Sequence, residues 1–168
     1  LAALERFLRE AFKVRGLRNS FDEIERVLLI PAVDLDRAER VVFGLDEQRS
    51  VPISAAVAAS CAIPGFFEPY PVGGRDFVDG GVGFCGHADL AAQAGAEAVF
   101  VVNPLVPTLF EDHVGPMKTR GLYTIMEQAS RLNSQNLLQL GLDTLRFRFP
   151  RTEFFLLQPP PTTTLMFG

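Results

Sequence analysis

The 168-residue chain is long enough for one domain with a substantial core, and 48% hydrophobic with 21% charged residues is ordinary for a globular fold. A net charge of −4 with no basic run argues against a nucleic-acid partner, because it offers no phosphate footprint. Cys61 and Cys85 form neither a CxxC pair nor a disulfide framework, and no apolar run reaches the roughly 18 to 20 residues that span a bilayer.

Leu1, Leu4, Leu8 and Ala11, with Phe12 beside it, recur at spacings of three and four, the stripe of a core-facing helix. Val27-Leu28-Leu29-Ile30 reads as a buried strand, and Val41-Val42-Phe43, closed by Gly44, as a short one. Pro52 suits the first turn of a helix, with Ser50 or Val51 near the cap and small residues running to about Ala62 before Pro64-Gly65 stops it. Residues 66–72 and 75–78 flank Gly73-Gly74, a two-residue connection fit for a hairpin. A short helix over 87–95 ends at Gly95, and Val99-Phe100-Val101-Val102 is the strongest strand pattern. Residues 119–145 predict one long helix or two, with the polar stretch 133–136 as the break, and Phe154-Phe155-Leu156-Leu157 a last strand before Pro159-Pro160-Pro161. Alternating strands and helices predict an α/β class with a largely parallel sheet and a single domain over 1–168. The chain starts inside an amphipathic pattern and stops on apolar Leu165-Met166-Phe167-Gly168, which predicts a piece of a longer protein.

The chemistry concentrates in residues 58–83. A small-residue helix ends in Pro-Gly, a hairpin follows, and Asp79 stands immediately before Gly80-Gly81. Paired glycines remove side-chain bulk, so a carboxylate there can be approached closely, as a general base must be. The tripeptide alone reads as a turn, with Asp79 bonding its own backbone, and only the longer pattern points to the base.

The linked pattern A-S-C-A-I-P-G-F-F-E-P-Y, then G-G-R-D-F-V-D-G-G, resembles the second signature block of patatin-like phospholipases. Residues 29–36 are similar to the family's strand before this block, and residues 96–107 to the strand after it. The resemblance implies a three-layer α/β/α sandwich with a mostly parallel central sheet, of which 1–168 would be the C-terminal portion. It implies a Ser-Asp dyad acting on lipid esters, with Asp79 as the catalytic aspartate and Gly80 and Gly81 as its supporting glycines. It calls for no cofactor and no metal, allows peripheral membrane contact, and favours a cytoplasmic or membrane-peripheral location; oligomeric state stays open. Pro64, Phe66, Phe67 and His87 are candidate pocket-lining residues.

The nucleophile is missing. None of Ser20, Ser50, Ser54, Ser60, Ser130 or Ser134 lies in a G-x-S-x-G elbow. Ser60 comes nearest, but near the end of a helix instead of on a strand-to-helix turn. The serine is therefore expected in a missing N-terminal part, and these residues alone should be inactive. Gly73-Gly74-Arg75 is superficially similar to the family's oxyanion loop but reads as a hairpin turn. Cys85, His87 and Asp89 alternate, yet run into a helix start with no fourth ligand, so no metal site is expected. Glu111-Asp112-His113 reads as a solvated loop. Phe66, Phe67, Tyr70 and Phe77 suit an acyl channel or a core equally. Against the hydrolase stand two alternatives: a non-catalytic lipid- or protein-binding module, and an acyltransferase.

Overall fold

The structure, a computed structural model, describes residues 1–83, 86–109 and 116–160. The chain forms two compact units, Leu1–Val82 and Gly83–Gly168. Cys85, Glu111-Asp112-His113, Pro161 and the apolar end at 165–168 lie outside the described residues.

The first unit opens with helix α1 (Ala2–Val14), whose Leu1, Leu4, Leu8, Ala11 and Phe12 stripe is half-buried. Strands β1 (Ile30–Asp34) and β2 (Glu39–Phe43) follow, then helix α2 (Ile53–Ser60) and strands β3 (Tyr70–Val72) and β4 (Arg75–Asp79). They build one sheet in the order β2-β1-β4-β3, and every neighbouring pair is antiparallel. This corrects the expected parallel sheet. Only four residues link β1 to β2, and two link β3 to β4, whereas a parallel connection needs a dozen or more. Asp34 shapes the first link: its Oδ1 accepts from the N–H groups of Asp36 and Arg37, each at 3.0 Å. Gly73 and Gly74, at φ +58° and +77°, make the tight turn of the second.

The core joins Phe21, Phe43, Ile53, Ala56, Ala59 and Phe77, with the rings of Phe43 and Phe77 edge to face at 5.2 Å. Fully buried Ala56, Ala58 and Ala59 show what the small residues of α2 do: they let its backbone close on the sheet. Two expected boundaries shift. Val27 and Leu28 are exposed, and the first strand starts at Ile30, because pairing with β2 runs from Ile30↔Phe43 to Asp34↔Glu39. Residues 66–69 lie outside β3: the N–H groups of Phe66 and Phe67 both donate to the Ile63 carbonyl, so the chain is still turning there.

In the second unit, helix α3 (Ala88–Gln93), strand β5 (Ala98–Val102), helix α4 (Leu122–Arg148) and strand β6 (Glu153–Leu157) give a parallel β5-β6 pair with helices packed on one face. Gly95 ends α3 as expected: its N–H donates to Ala92 O and that of Ala96 to Ala91 O, a Schellman closure. α4 is one unbroken helix of 27 residues, so the polar stretch at 133–136 does not break it. Gln135 is engaged at both ends of its amide, with Asn103 at 2.8 Å and Gln158 at 3.2 Å. Two helices and a two-stranded parallel pair make this unit mixed α/β, as the first is by its own topology.

Candidate functional site

Asp79 is the last residue of β4, paired with Ala32 of β1. Its N–H donates to the carbonyl of Ala62 at 2.9 Å, so the end of the small-residue helix fixes where the strand stops. Beyond it the chain turns: Asp79 Oδ1 accepts from the Gly81 N–H at 2.7 Å, and the Val82 N–H donates to the Asp79 carbonyl at 3.1 Å. The turn reading therefore holds: Asp79 bonds its own following backbone, and that bond aims a half-buried carboxylate from a strand end.

The glycines act through space, not torsion. Neither Gly80 nor Gly81 has positive φ. A Cβ on Gly81 would lie 3.0 Å from Asp79 Oδ1, so the position is bare because the carboxylate occupies that space. Gly80 is buried.

Cys61, which caps the C-terminal end of α2, shares this neighbourhood. Burial pushes its thiol up from the ordinary value, and the Asp79 carboxylate pushes it further. Cys61 sits within the A-S-C-A-I-P block, and no motif or spacing there singles it out. Ser60 is the final residue of the α2 helix, and the non-glycine residues at positive φ are Ala38, Asp46 and His87. No described serine has the strained backbone of a nucleophile elbow.

The other expected site residues separate. Pro64 and Phe67 are exposed and Phe66 half-buried in the turn after α2, in the same unit as Asp79. Phe77 is core, with Tyr70 packed against it, so neither lines a channel. His87 belongs to the second unit, where it precedes α3 at φ +42° and borders a cleft of about 350 Å³ with Leu140, Thr144 and Arg148. Arg75 of the Gly-Gly-Arg stretch is committed to structure: it donates to Asp34 Oδ2 and to Glu39 Oε1, and its guanidinium stacks over Phe77. Burial alone would raise the Asp34 carboxyl. The Arg37 backbone N–H and the Arg75 side chain outweigh it and hold the group below its usual range.

A further serine–carboxylate contact lies under α1. Ser54 Oγ, wholly buried, donates to Glu5 Oε1 at 2.9 Å and accepts from Asn19 Nδ2 at 2.8 Å, while the Ser54 N–H donates to Asn19 Oδ1 at 2.8 Å. Asn19 thus caps α2 from 35 residues upstream. A serine sealed in this way is unreachable by substrate. It holds helices together.

A carboxylate at a strand end, with the Gly81 N–H on its Oδ1 and no side chain at residue 81 beside it, has the geometry of a proton acceptor. A family model described as patatin-like phospholipase matches residues 1–84, half of the chain, including Asp79-Gly80-Gly81. No curated protein matches the chain.

Proposed function

Because the chain belongs to the patatin-like phospholipase family, we propose that it supplies the general base, Asp79, of a lipid acyl hydrolase whose nucleophilic serine lies on polypeptide outside residues 1–168. The observation that carries this reading is the Asp79–Gly81 turn. The carboxylate is held by a 2.7 Å bond at a strand end, and a Cβ at residue 81 would sit 3.0 Å from its Oδ1, so the carboxylate would have to give way.

In this scheme Asp79 accepts the serine Oγ proton as the oxygen attacks the ester carbonyl. It returns that proton to the departing alcohol, leaving an acyl-serine. Water then attacks the acyl carbonyl and gives a proton to Asp79. Collapse expels the serine oxygen, which recovers the proton, and the carboxylic acid leaves. Pro64, Phe66 and Phe67, in the turn after α2, border the approach for the acyl chain in this proposal.

The test uses the intact polypeptide carrying both halves. A fluorophosphonate probe should label a serine upstream of Leu1, and Asp79→Asn should lower kcat by several orders of magnitude, as loss of a unit-acting group does. Gly81→Ala should retain the fold and cost roughly ten- to a hundredfold, the equivalent of one displaced charge-assisted hydrogen bond. Near-normal turnover in Asp79→Asn would reduce Asp79 to a turn residue and leave a non-catalytic module.

A further inference from the structure

Helix α1 carries two apolar faces, and only one is used. Leu4, Leu8 and Phe12 turn toward α2 and the core, with Glu5 anchored on Ser54. Phe7 and Val14, seven residues apart and so on one side of the helix, are 68% and 84% exposed. Ala3, one turn earlier on that side, is exposed as well. The helix then closes by a Schellman motif: Leu17 N–H donates to Phe12 O at 2.9 Å and Gly16 N–H to Lys13 O at 3.1 Å, with Gly16 at φ +66°. That closure holds Leu17, 56% exposed, just beyond the same helix end.

Cations flank this ridge. Arg6 and Lys13, again seven apart, each immediately precede a ridge residue, and Arg15 follows Val14. All three are exposed, and none joins an ion pair among the described residues. Residues 1–18 hold five Arg or Lys against Glu5 and Glu10, a net +3 in a chain of −4 overall. Glu5 is turned inward to Ser54, which leaves Glu10, three residues after Phe7 and four before Val14 and so on their side, as the one outward carboxylate among the cations. Apolar side chains in a row, rimmed by unpaired cations, match the chemistry of an anionic lipid surface, with acyl chains under a layer of negative headgroups. A protein partner with a plain apolar patch would give the cations nothing to meet.

We infer that α1 is an interfacial contact: Phe7, Val14 and Leu17 enter the headgroup layer of an anionic bilayer while Arg6, Lys13 and Arg15 hold its charge. The inference rests on the lipid-hydrolase reading for its purpose, since an enzyme acting on membrane lipid must meet the surface that holds it.

The experiment is flotation of the full chain with vesicles of phosphatidylcholine alone or with about one-third phosphatidylserine. Wild type should float with the anionic vesicles, stay behind with the neutral ones, and release as salt shortens the range of surface charge. Arg6→Gln and Lys13→Gln should each weaken partitioning roughly fivefold. Phe7→Asp with Val14→Asp should weaken it about a hundredfold or more while circular dichroism stays unchanged, because neither side chain is part of the core. Equal flotation with both vesicle types, none with either, or indifference to the Phe7/Val14 variant would overturn the contact. So would self-association that the same variant abolishes, which would make the ridge an interface between copies. Asp79→Asn should float like wild type. Loss of the proposed catalytic role would therefore leave this result standing, and the reverse.

Discussion

Replacing Asn19 by Ala removes a cap that no neighbouring residue can restore. Two 2.8 Å bonds disappear, one from the Ser54 N–H to Asn19 Oδ1 and one from Asn19 Nδ2 to Ser54 Oγ. Ser54 is fully buried, so its N–H is left without an acceptor and without water, at a cost of about 1–3 kcal/mol. The hydroxyl keeps Glu5 as its acceptor, and the second lost bond adds about 0.5–1.5 kcal/mol. Ser54→Ala is the contrasting perturbation. It deletes the hydroxyl but leaves Asn19 Oδ1 on the residue 54 N–H. The orphaned partners, Glu5 and Asn19, are half-buried and can turn to water. That variant should cost about 1 kcal/mol or less. Urea unfolding followed by circular dichroism should rank Asn19→Ala below Ser54→Ala by about 0.5–3.5 kcal/mol, and at this chain length each kcal/mol moves the melting temperature by about 2–4 °C. Equal stabilities, or a reversed order, would refute remote capping and return α2 to a cap of its own.

Two more predictions follow from charges already placed. The Asp34 carboxyl is held below its ordinary 3.8, so the unfolded chain binds the proton first and stability falls as pH drops below about that value; Arg75→Gln should flatten this acid-side loss in urea midpoints taken between pH 5 and 2.5. In a Cys85→Ser background, Cys61 should react with a disulfide reagent at pH 8 more slowly than an unperturbed thiol. Asp79→Asn should speed it by removing one of the two causes, and an unchanged rate would separate the two side chains.

What could be read in advance was whatever one short segment decides. Gly73-Gly74 can hardly be anything but a tight turn, Gly95 closes the helix before it, and an aspartate ahead of two glycines announces a strand end. The stripe of α1 was legible because a helix repeats its faces within four residues. Sheet direction was misread by counting alternating strands and helices instead of measuring the links between them. Four residues between β1 and β2 already require an antiparallel return. Val27-Leu28-Leu29 looked like strand because the register that starts pairing at Ile30 depends on a partner more than ten residues away. Asn19 was invisible for a stronger reason. Ser20 beside it makes only a local bond, from the Asp22 N–H, while the reach of Asn19 to Ser54 exists only once α1 and α2 have packed.

The polar residues of the first unit differ in burial and reach. Arg75 ties β4 to Asp34 of β1, and Ser54 ties α2 to Glu5 of α1, while Asp34 also accepts from its own following turn. The Asp79 Oδ1 bond from the Gly81 N–H lies two residues along its own turn and sets the direction of the carboxylate at the strand end. Asp34 is 1% exposed and holds Arg75, whereas Asp79 is only half-buried. Removing a sealed, ion-paired carboxylate strands its partner, while a half-buried one leaves groups that water can reach. Asp79→Asn should therefore lower the urea midpoint less than Asp34→Asn does, and equal losses would refute the ranking by burial.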